Sequence, residues 1–331
     1  MTPETLNANQ SQYNHIVAFE VSKAKLFVHV LPEARTVQID NTPAMIRRLI
    51  KKENQRNAGL GIGPLLVVCE ATGTYSNAVL ACADEFSIAC HRAHGSRVRA
   101  FARFRGTLAK SDPIDVAVIA DYARCSRDLV LHRQPREAQI ELRELVARRT
   151  EVRQMKEAEE ARVEHVTSPV VRDSLRALIA ALEKQFAKIE ARIVTLMAQD
   201  VTFAERARLM QSVKGVGPVT AAALLAYLPE IGTVSRGTIA ALAGLAPYDA
   251  DSGLKKGQRH IFGGRAEVRT SLYMAALVAI RHNPHLRDMG ERVIARGNPY
   301  KVAVTAVMRK LLVMLNAIVA SGQTCKMKNA T

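Results

Sequence analysis

The stretch PLLVVCE, residues 64–70, decides how this chain is read. It is a continuous apolar run of strand length closed by an acid, the pattern of a strand buried on both faces. A carboxylate at the end of such a strand needs a partner or an ion. Upstream, HIVAFEV (residues 15–21) and KLFVHVL (residues 25–31) are rich in β-branched and aromatic side chains and are separated by Ser22-Lys23-Ala24. They predict two strands joined by a tight turn, and TVQID (residues 36–40) predicts a third. Asn41 and Thr42 supply N-cap oxygens to AMIRRLIKKENQRN (residues 44–57), where Met45, Ile46, Leu49 and Ile50 fall at helical spacing before GLGIGP ends the helix. Downstream follow a helix over 76–86, a strand SIACH over 87–91 and a helix beginning near Asp112.

Three strands, helix, strand, helix, strand and helix make an α/β domain over residues 15–130, after a polar lead over 1–14 that is expected to be disordered. The order fits a ribonuclease H-like sheet. Over 131–205 the chain turns to long charged helices, broken once at Ser168-Pro169. Leu175, Leu178, Leu182, Phe186, Ile189, Ile193 and Leu196 recur at alternating steps of three and four, the a/d stripe of a coiled coil. That connector reads equally as an intramolecular helical hairpin or as a stalk that joins copies of the chain into a dimer or tetramer. Residues 206–321 are mainly helical, and 322–331 form a tail. In this last domain SVKGVGPVTAAALLA places a Gly-Val-Gly turn between two helices, and residues 249–264 form a polar loop rich in Gly and Lys.

The 331 residues carry 47 Lys and Arg against 31 Asp and Glu, a formal charge of +16, while 48% hydrophobic residues exclude a disordered basic tail. Aromatics make up 5% and Trp is absent, so a broad base-stacking platform is not the expected mode of binding; the charge points to phosphates. Cys69, Cys82, Cys90, Cys125 and Cys325 form no CxxC pair and leave one thiol over, which suggests neither a zinc knuckle nor a disulfide framework. The polar N-terminus lacks a signal core and no run approaches 18 apolar residues, so a cytoplasmic protein without a membrane partner is expected.

Four carboxylates carry the chemistry. Glu20 lies towards the end of the first strand, Glu70 at the end of the fourth, and Asp112 and Asp115 three apart at a helix start. In a ribonuclease H-like sheet the first and fourth strands are neighbours and a later helix packs beside their ends, so the four could converge. Such a cluster repels itself unless cations bind, and two Mg²⁺ ions (or Mn²⁺) would hold the attacking and leaving oxygens of a phosphodiester displacement. Each acid also has a plain structural reading: Asp112 and Asp115 as helix-start acids, Glu70 as a cap for the helix after Ala71-Thr72-Gly73-Thr74-Tyr75. Arg92, Arg97, Arg99, Arg103, Arg105 and Lys110 are interrupted by no acid between His91 and Ser111, which favours a phosphate-binding surface over a solvated helix face. Lys214-Gly215-Val216-Gly217 resembles the turn of a helix-hairpin-helix element, where backbone N–H groups approach a phosphate. Residues 254–310 hold 12 Lys or Arg against three acids, a second such surface.

The runs AFEVSK (18–23), CEATGTY (69–75), KSDPIDVAVIADYAR (110–124), SVKGVGPVTAAALLA, FGGR with VRTSLYMAAL, and KVAVTAVMRKLL resemble, in order and spacing, the insertion-sequence one-ten family of transposases, which includes Piv-type site-specific DNA invertases. The resemblance covers residues 15–320. It implies a RuvC-like N-terminal domain with an Asp-Glu-Asp-Asp metal site, a coiled-coil connector and a C-terminal domain with a nucleophilic serine. The acidic positions match Glu20, Glu70, Asp112 and Asp115, with Glu20 where the family has Asp. The Gly-Leu-x-Pro…Ser-Gly pattern, here GLAPYDADSG, selects Ser252 over Ser235 and Ser271. Ser252 would attack a backbone phosphate of DNA, with Lys255, Lys256, Arg259 and Arg265 neutralising charge on its oxygens and Arg269 on the same basic surface. The resemblance also implies a structured non-coding guide RNA. A hydrolytic nuclease using the carboxylates alone, a DNA invertase and an impaired DNA-binding relic are the competing readings.

Overall fold

A computed structural model describes residues 13–61, 63–107, 109, 111–127, 129–132, 134–248 and 259–324. The chain divides into two compact units, 1–134 and 135–331.

The first unit is built on a five-stranded sheet of order β3-β2-β1-β4-β5, with β1 His15–Val21, β2 Lys25–Leu31, β3 Arg35–Asp40, β4 Leu65–Glu70 and β5 Ala89–Ala93. β2 pairs antiparallel with β1 and β3, while β4 pairs parallel with β1 and β5. The run that decided the sequence reading is thus an interior strand with parallel neighbours on both sides. Alternation splits its side chains between two cores. Val67 and Cys69 join Val17, Phe19 and the helices α1 Pro43–Leu60 and α2 Asn77–Glu85 on one face. Leu66 and Val68 join Ile16, Ala18 and two later helices, α3 Gly95–Phe104 and α4 Asp112–Cys125, on the other.

Three sequence expectations shift. The helix α1 runs on to Leu60 and ends at Gly61, whose left-handed φ of 61° any side chain would disfavour. The fifth strand lies two residues later than expected, and the basic run after it forms its own helix, α3, which the apolar periodicity did not reveal because Val98 is its one buried residue. The polar lead is also shorter than 14 residues, since Tyr13 is buried with Leu31 and Ala123.

The second unit begins with an antiparallel hairpin of α5 Glu137–Val163 and α6 Pro169–Gln199. Ion pairs fasten its arms: Arg149 with Glu190 at 2.6 Å, Arg192 with Glu141 at 2.6 Å and Lys156 with Glu183 at 2.8 Å. Leu142, Val146, Ile193 and Leu196 belong to the core of the C-terminal domain, so the connector is continuous with that domain rather than a separate spacer. Further out, Leu178 is 45% exposed, and the predicted stripe is only partly covered by α5.

Five more long helices complete the unit: α7 Val201–Gln211, α8 Pro218–Tyr227, α10 Ala266–His282, α11 Pro284–Ala295 and α12 Tyr300–Ser321, with the short α9 Arg236–Leu242 between α8 and α10. A two-residue hairpin, β6 Pro247–Tyr248 with β7 His260–Ile261, closes the loop before α10. By length and composition α12 could cross a bilayer. Arg309 and Lys310 interrupt it, however, and Val304, Val307, Leu311, Leu312 and Leu315 are fully buried in the domain core.

Candidate active site

Strand register brings the first two acids together. Phe19 pairs with Cys69 in the parallel β1–β4 ladder, so the next step sets Glu20 beside Glu70 at the carboxyl ends of both strands. Their side chains share the parity of Ala18 and Val68 and therefore point to the face that α4 covers. Glu20 Oε2 is shielded from solvent. Glu70 rests against the start of α3: a Cβ built on Gly95 would stand 2.2 Å from its Oε1. An alanine there would push this carboxylate aside, and the first turn of α3 presents it with the positive end of the helix. Sequence reading passed over Gly95, which has no partner motif.

The helix carrying the other two acids crosses the same face. Tyr122, near the end of α4, stacks on His91 of β5 and meets Phe101 of α3 edge-on. The chain beyond α4 then returns to β5, where His91 Nδ1 lies 2.9 Å from the carbonyl of Val130. The end of α4 thus lies beside β5. Asp112 is exposed and Asp115 half-buried in its first turn; Ser111 holds the N-cap position without a side-chain bond. Neither aspartate takes part in an ion pair among the described residues. Asp121, two turns on, does, binding Arg124 at 2.5 Å and Arg105 at 3.5 Å.

All four acids offer oxygen, the donor that hard divalent cations prefer. Among the described residues, no three His, Cys, Asp or Glu side chains are gathered closely enough to hold an ion. The fold supplies Glu20 and Glu70 side by side at the ends of β1 and β4, and Asp112 and Asp115 on a helix packed on the same face of the sheet. Burial pushes two histidines of this unit, His29 and His91, below the usual imidazole range, against the raising influence of Asp121 on the first and of the Val130 carbonyl on the second.

The expected basic surface is uneven. Arg97, Arg99 and Arg103 are exposed on α3 and in no ion pair among the described residues. Arg105, by contrast, is engaged with Asp121 and lies 6.0 Å from the Phe101 ring centroid. Phe104, 86% exposed, stands among these arginines. Lys110 lies outside the described residues.

In the second unit, the loop after α9 is gathered at its base. Gly244 and Gly264 both have left-handed φ, 66° and 68°, and a Cβ on Gly264 would lie 2.0 Å from the Gly244 nitrogen. The two chain segments cross where no side chain fits. Arg269 donates to the carbonyls of Gly263 and, at 3.4 Å, Ala243, one on each segment. Arg265 donates to the Tyr227 carbonyl at 2.8 Å and forms a two-pronged pair with Glu230, both bonds 2.6 Å. Burial alone would push Glu230 up, but the Arg265 bonds and charge outweigh it and hold the carboxyl below its usual range. Arg265 and Arg269, predicted to face phosphate, are thus engaged within the domain. Arg259 is exposed just ahead of β7. Ser252, Lys255 and Lys256 lie outside the described residues. Of the other serines, Ser235 caps α9, its Oγ accepting from the Thr238 nitrogen at 3.1 Å, and Ser271 lies within α10.

The Lys214–Gly217 turn joins α7 to α8 as expected, with Lys214 exposed. Gly215 is fixed by packing, since a Cβ there would stand 2.7 Å from that of Ala279 on α10. Gly217 is the open N-cap of α8.

Residues 18–171 match the family model of DEDD transposases of the IS110 group, and residues 207–291 match the model described as Transposase IS116/IS110/IS902 family. The chain belongs to the IS110 family of transposases. The first match contains all four acids and the second the glycine-crossed loop, so this transposase, a DNA recombination enzyme, carries both candidate regions inside its family segments. Two pilin gene-inverting proteins are similar over 259 residues, that of Moraxella bovis at 26% identity and that of Moraxella lacunata at 25%, each match spanning 77% of this chain and 80% of the relative.

Proposed function

We propose that this transposase cuts and rejoins DNA through a phosphoserine intermediate, with an acidic site on a ribonuclease H-like, RuvC-like sheet assisting the serine. The observation that carries the reading is the parallel β1–β4 pairing, which sets Glu20 and Glu70 side by side with side chains on the sheet face that the Asp112–Asp115 helix covers. In a chain of the DEDD group these are the residues that would hold Mg²⁺ or Mn²⁺, which would supply Lewis-acid polarisation of the phosphate.

Ser252 Oγ attacks phosphorus; the O–P bond forms as the bond from phosphorus to the departing sugar oxygen breaks, and that oxygen takes up a proton. Rejoining reverses the step with a different sugar hydroxyl, so no phosphodiester energy is lost. Lys255, Lys256 and Arg259 neutralise the phosphoryl oxygens. Arg265 and Arg269 act one step removed, holding the loop base. The unit with the acids and the unit with Ser252 serve one DNA strand, from one subunit or two, and the α5–α6 hairpin is the element through which copies would associate. The exposed arginines of α3 and the Lys214–Gly217 turn hold backbone phosphates of DNA or of a structured guide RNA. The reaction takes place in the cytoplasm.

The likeness to the two pilin gene-inverting proteins favours one second reading, that the biological outcome is inversion of a segment rather than movement of an element. The deciding experiment is denaturing capture of covalent protein–DNA adducts. Adducts that require Ser252 and a divalent cation support the proposal; cation-dependent cutting with no adduct, or adducts that persist in Ser252→Ala, would sink it.

A further inference from the structure

Several exposed arginines on the α5–α6 hairpin are matched by acids: Arg148 by Glu151, Arg162 by Glu159 and Arg192 by Glu141. The groove between α11 and α12 is different. It encloses about 660 Å³ and is lined by His285, Arg292, Arg296 and Lys310 around Met289, Val293 and Met314, with no acid in the lining. His285, Met289, Arg292 and Arg296 follow one another at steps of four, three and four, so a single face of α11 supplies most of the rim. Asp288 stands four residues ahead of Arg292, the spacing and direction that favour a pair on a helix. No ion pair joins them among the described residues, and Arg292 instead lines the groove. Dipole complementarity accounts for Arg292 and Arg296 near the end of α11, but not for His285 in its first turn or Lys310 midway along α12.

Cations facing one another without an acid repel and weaken the compact state, a cost that an anionic ligand removes. We propose that this groove is a phosphodiester-binding site, its cationic rim seating successive phosphates of a nucleic-acid strand and its Met289–Val293–Met314 floor lying against the sugars. The inference rests on the chain being a nucleic-acid enzyme, but not on Ser252 or on the acidic site. Arg292, Arg296 and Lys310 lie beyond residue 291, where the family match ends. Duplex DNA and folded RNA both offer this backbone, and the test separates them.

Full-length protein freed of nucleic acid would be titrated with a labelled random-sequence duplex and with a labelled RNA hairpin, from about 50 to 300 mM salt, where each phosphate contact contributes about 0.9 to the log–log slope on DNA. R292Q/R296Q should lower affinity about tenfold or more and flatten the slope by about two on the nucleic acid that the groove holds, and K310Q should flatten it by about one. R292K/R296K should restore the slope, which separates charge from folding. Arg176→Gln, on the hairpin, should change neither. A loss confined to DNA assigns the groove to DNA, and one confined to RNA assigns it to RNA. Unchanged affinity and slope on both, in R292Q/R296Q and K310Q alike, overturns the inference. Ser252→Ala should bind like the parent, so a failure to form adducts leaves this result standing, and the reverse.

Discussion

The two units hold their candidate site residues by opposite means. In the first, Glu20 and Glu70 sit on adjacent interior strands, and the same ladder that builds the core fixes their spacing. In the second, the described residues that flank the loop expected to carry the serine are held by a two-residue β6–β7 pairing, by the Gly244–Gly264 crossing and by Arg265 and Arg269. A site built on register is insensitive to anything that does not unfold the sheet. A site hung from a crossing depends on a handful of long-range contacts, each removable without touching the core. The comparison can be broken or sharpened by four experiments.

The largest effect should come from the sheet end. Asp115→Asn and Glu70→Gln should each lower strand cleavage by about 10²-fold or more, the scale of losing one preorganised electrostatic group, with melting temperature unchanged within a few degrees. Equal cleavage in a gel assay would remove these residues from the site. Next, Gly264→Ala should destabilise the second unit by about 2 kcal/mol or more, because φ is left-handed and the new methyl meets backbone at 2.0 Å. Urea unfolding would show it, and a silent substitution would mean that the crossing is loose.

Gly95→Ala should separate activity from stability. The atom it displaces is the free end of Glu70, so the folding cost should stay below about 1 kcal/mol while cleavage falls about tenfold. Equal activity would show that Glu70 is not held by this cradle. The smallest effect concerns pH. Glu230 has a folded-state value below the ordinary carboxylate range, so its contribution to stability is fully present above the unfolded value of about 4.3 and is lost as pH falls through the lowered folded value. The pair is about one-third exposed, and its worth after screening is about 1 kcal/mol. Glu230→Gln should flatten acid-induced loss of stability in that window, and an unaltered pH profile would detach the pair from the loop base.

What the sequence disclosed follows from the same contrast. Apolar alternation over 15–31 and the unbroken run at 65–69 revealed the strands and, through them, the neighbourhood of Glu20 and Glu70, because burial on two faces leaves a pattern in residue type. The helix α3 stayed hidden, since one buried valine among three arginines leaves none. Gly95 and the Gly244–Gly264 crossing were equally silent: each glycine faces atoms 19 or more positions away. Arg265 and Arg269 looked like phosphate ligands because a side chain that donates to distant carbonyls has the same composition as one that donates to DNA. The α6 stripe was visible as a heptad, yet its partner was the chain's own α5 arm, which the stripe alone did not specify.

The crossing at Gly244 and Gly264 also isolates what lies between. With Gly244 against Gly264, and Arg265 and Arg269 bonded back into the helical domain, the segments on either side of the crossing are held by their own contacts. On the proposal that the serine acts from this loop, the helical domain serves as a housing closed at the glycine pair, one that a lineage could inherit unchanged while its chemistry is exchanged.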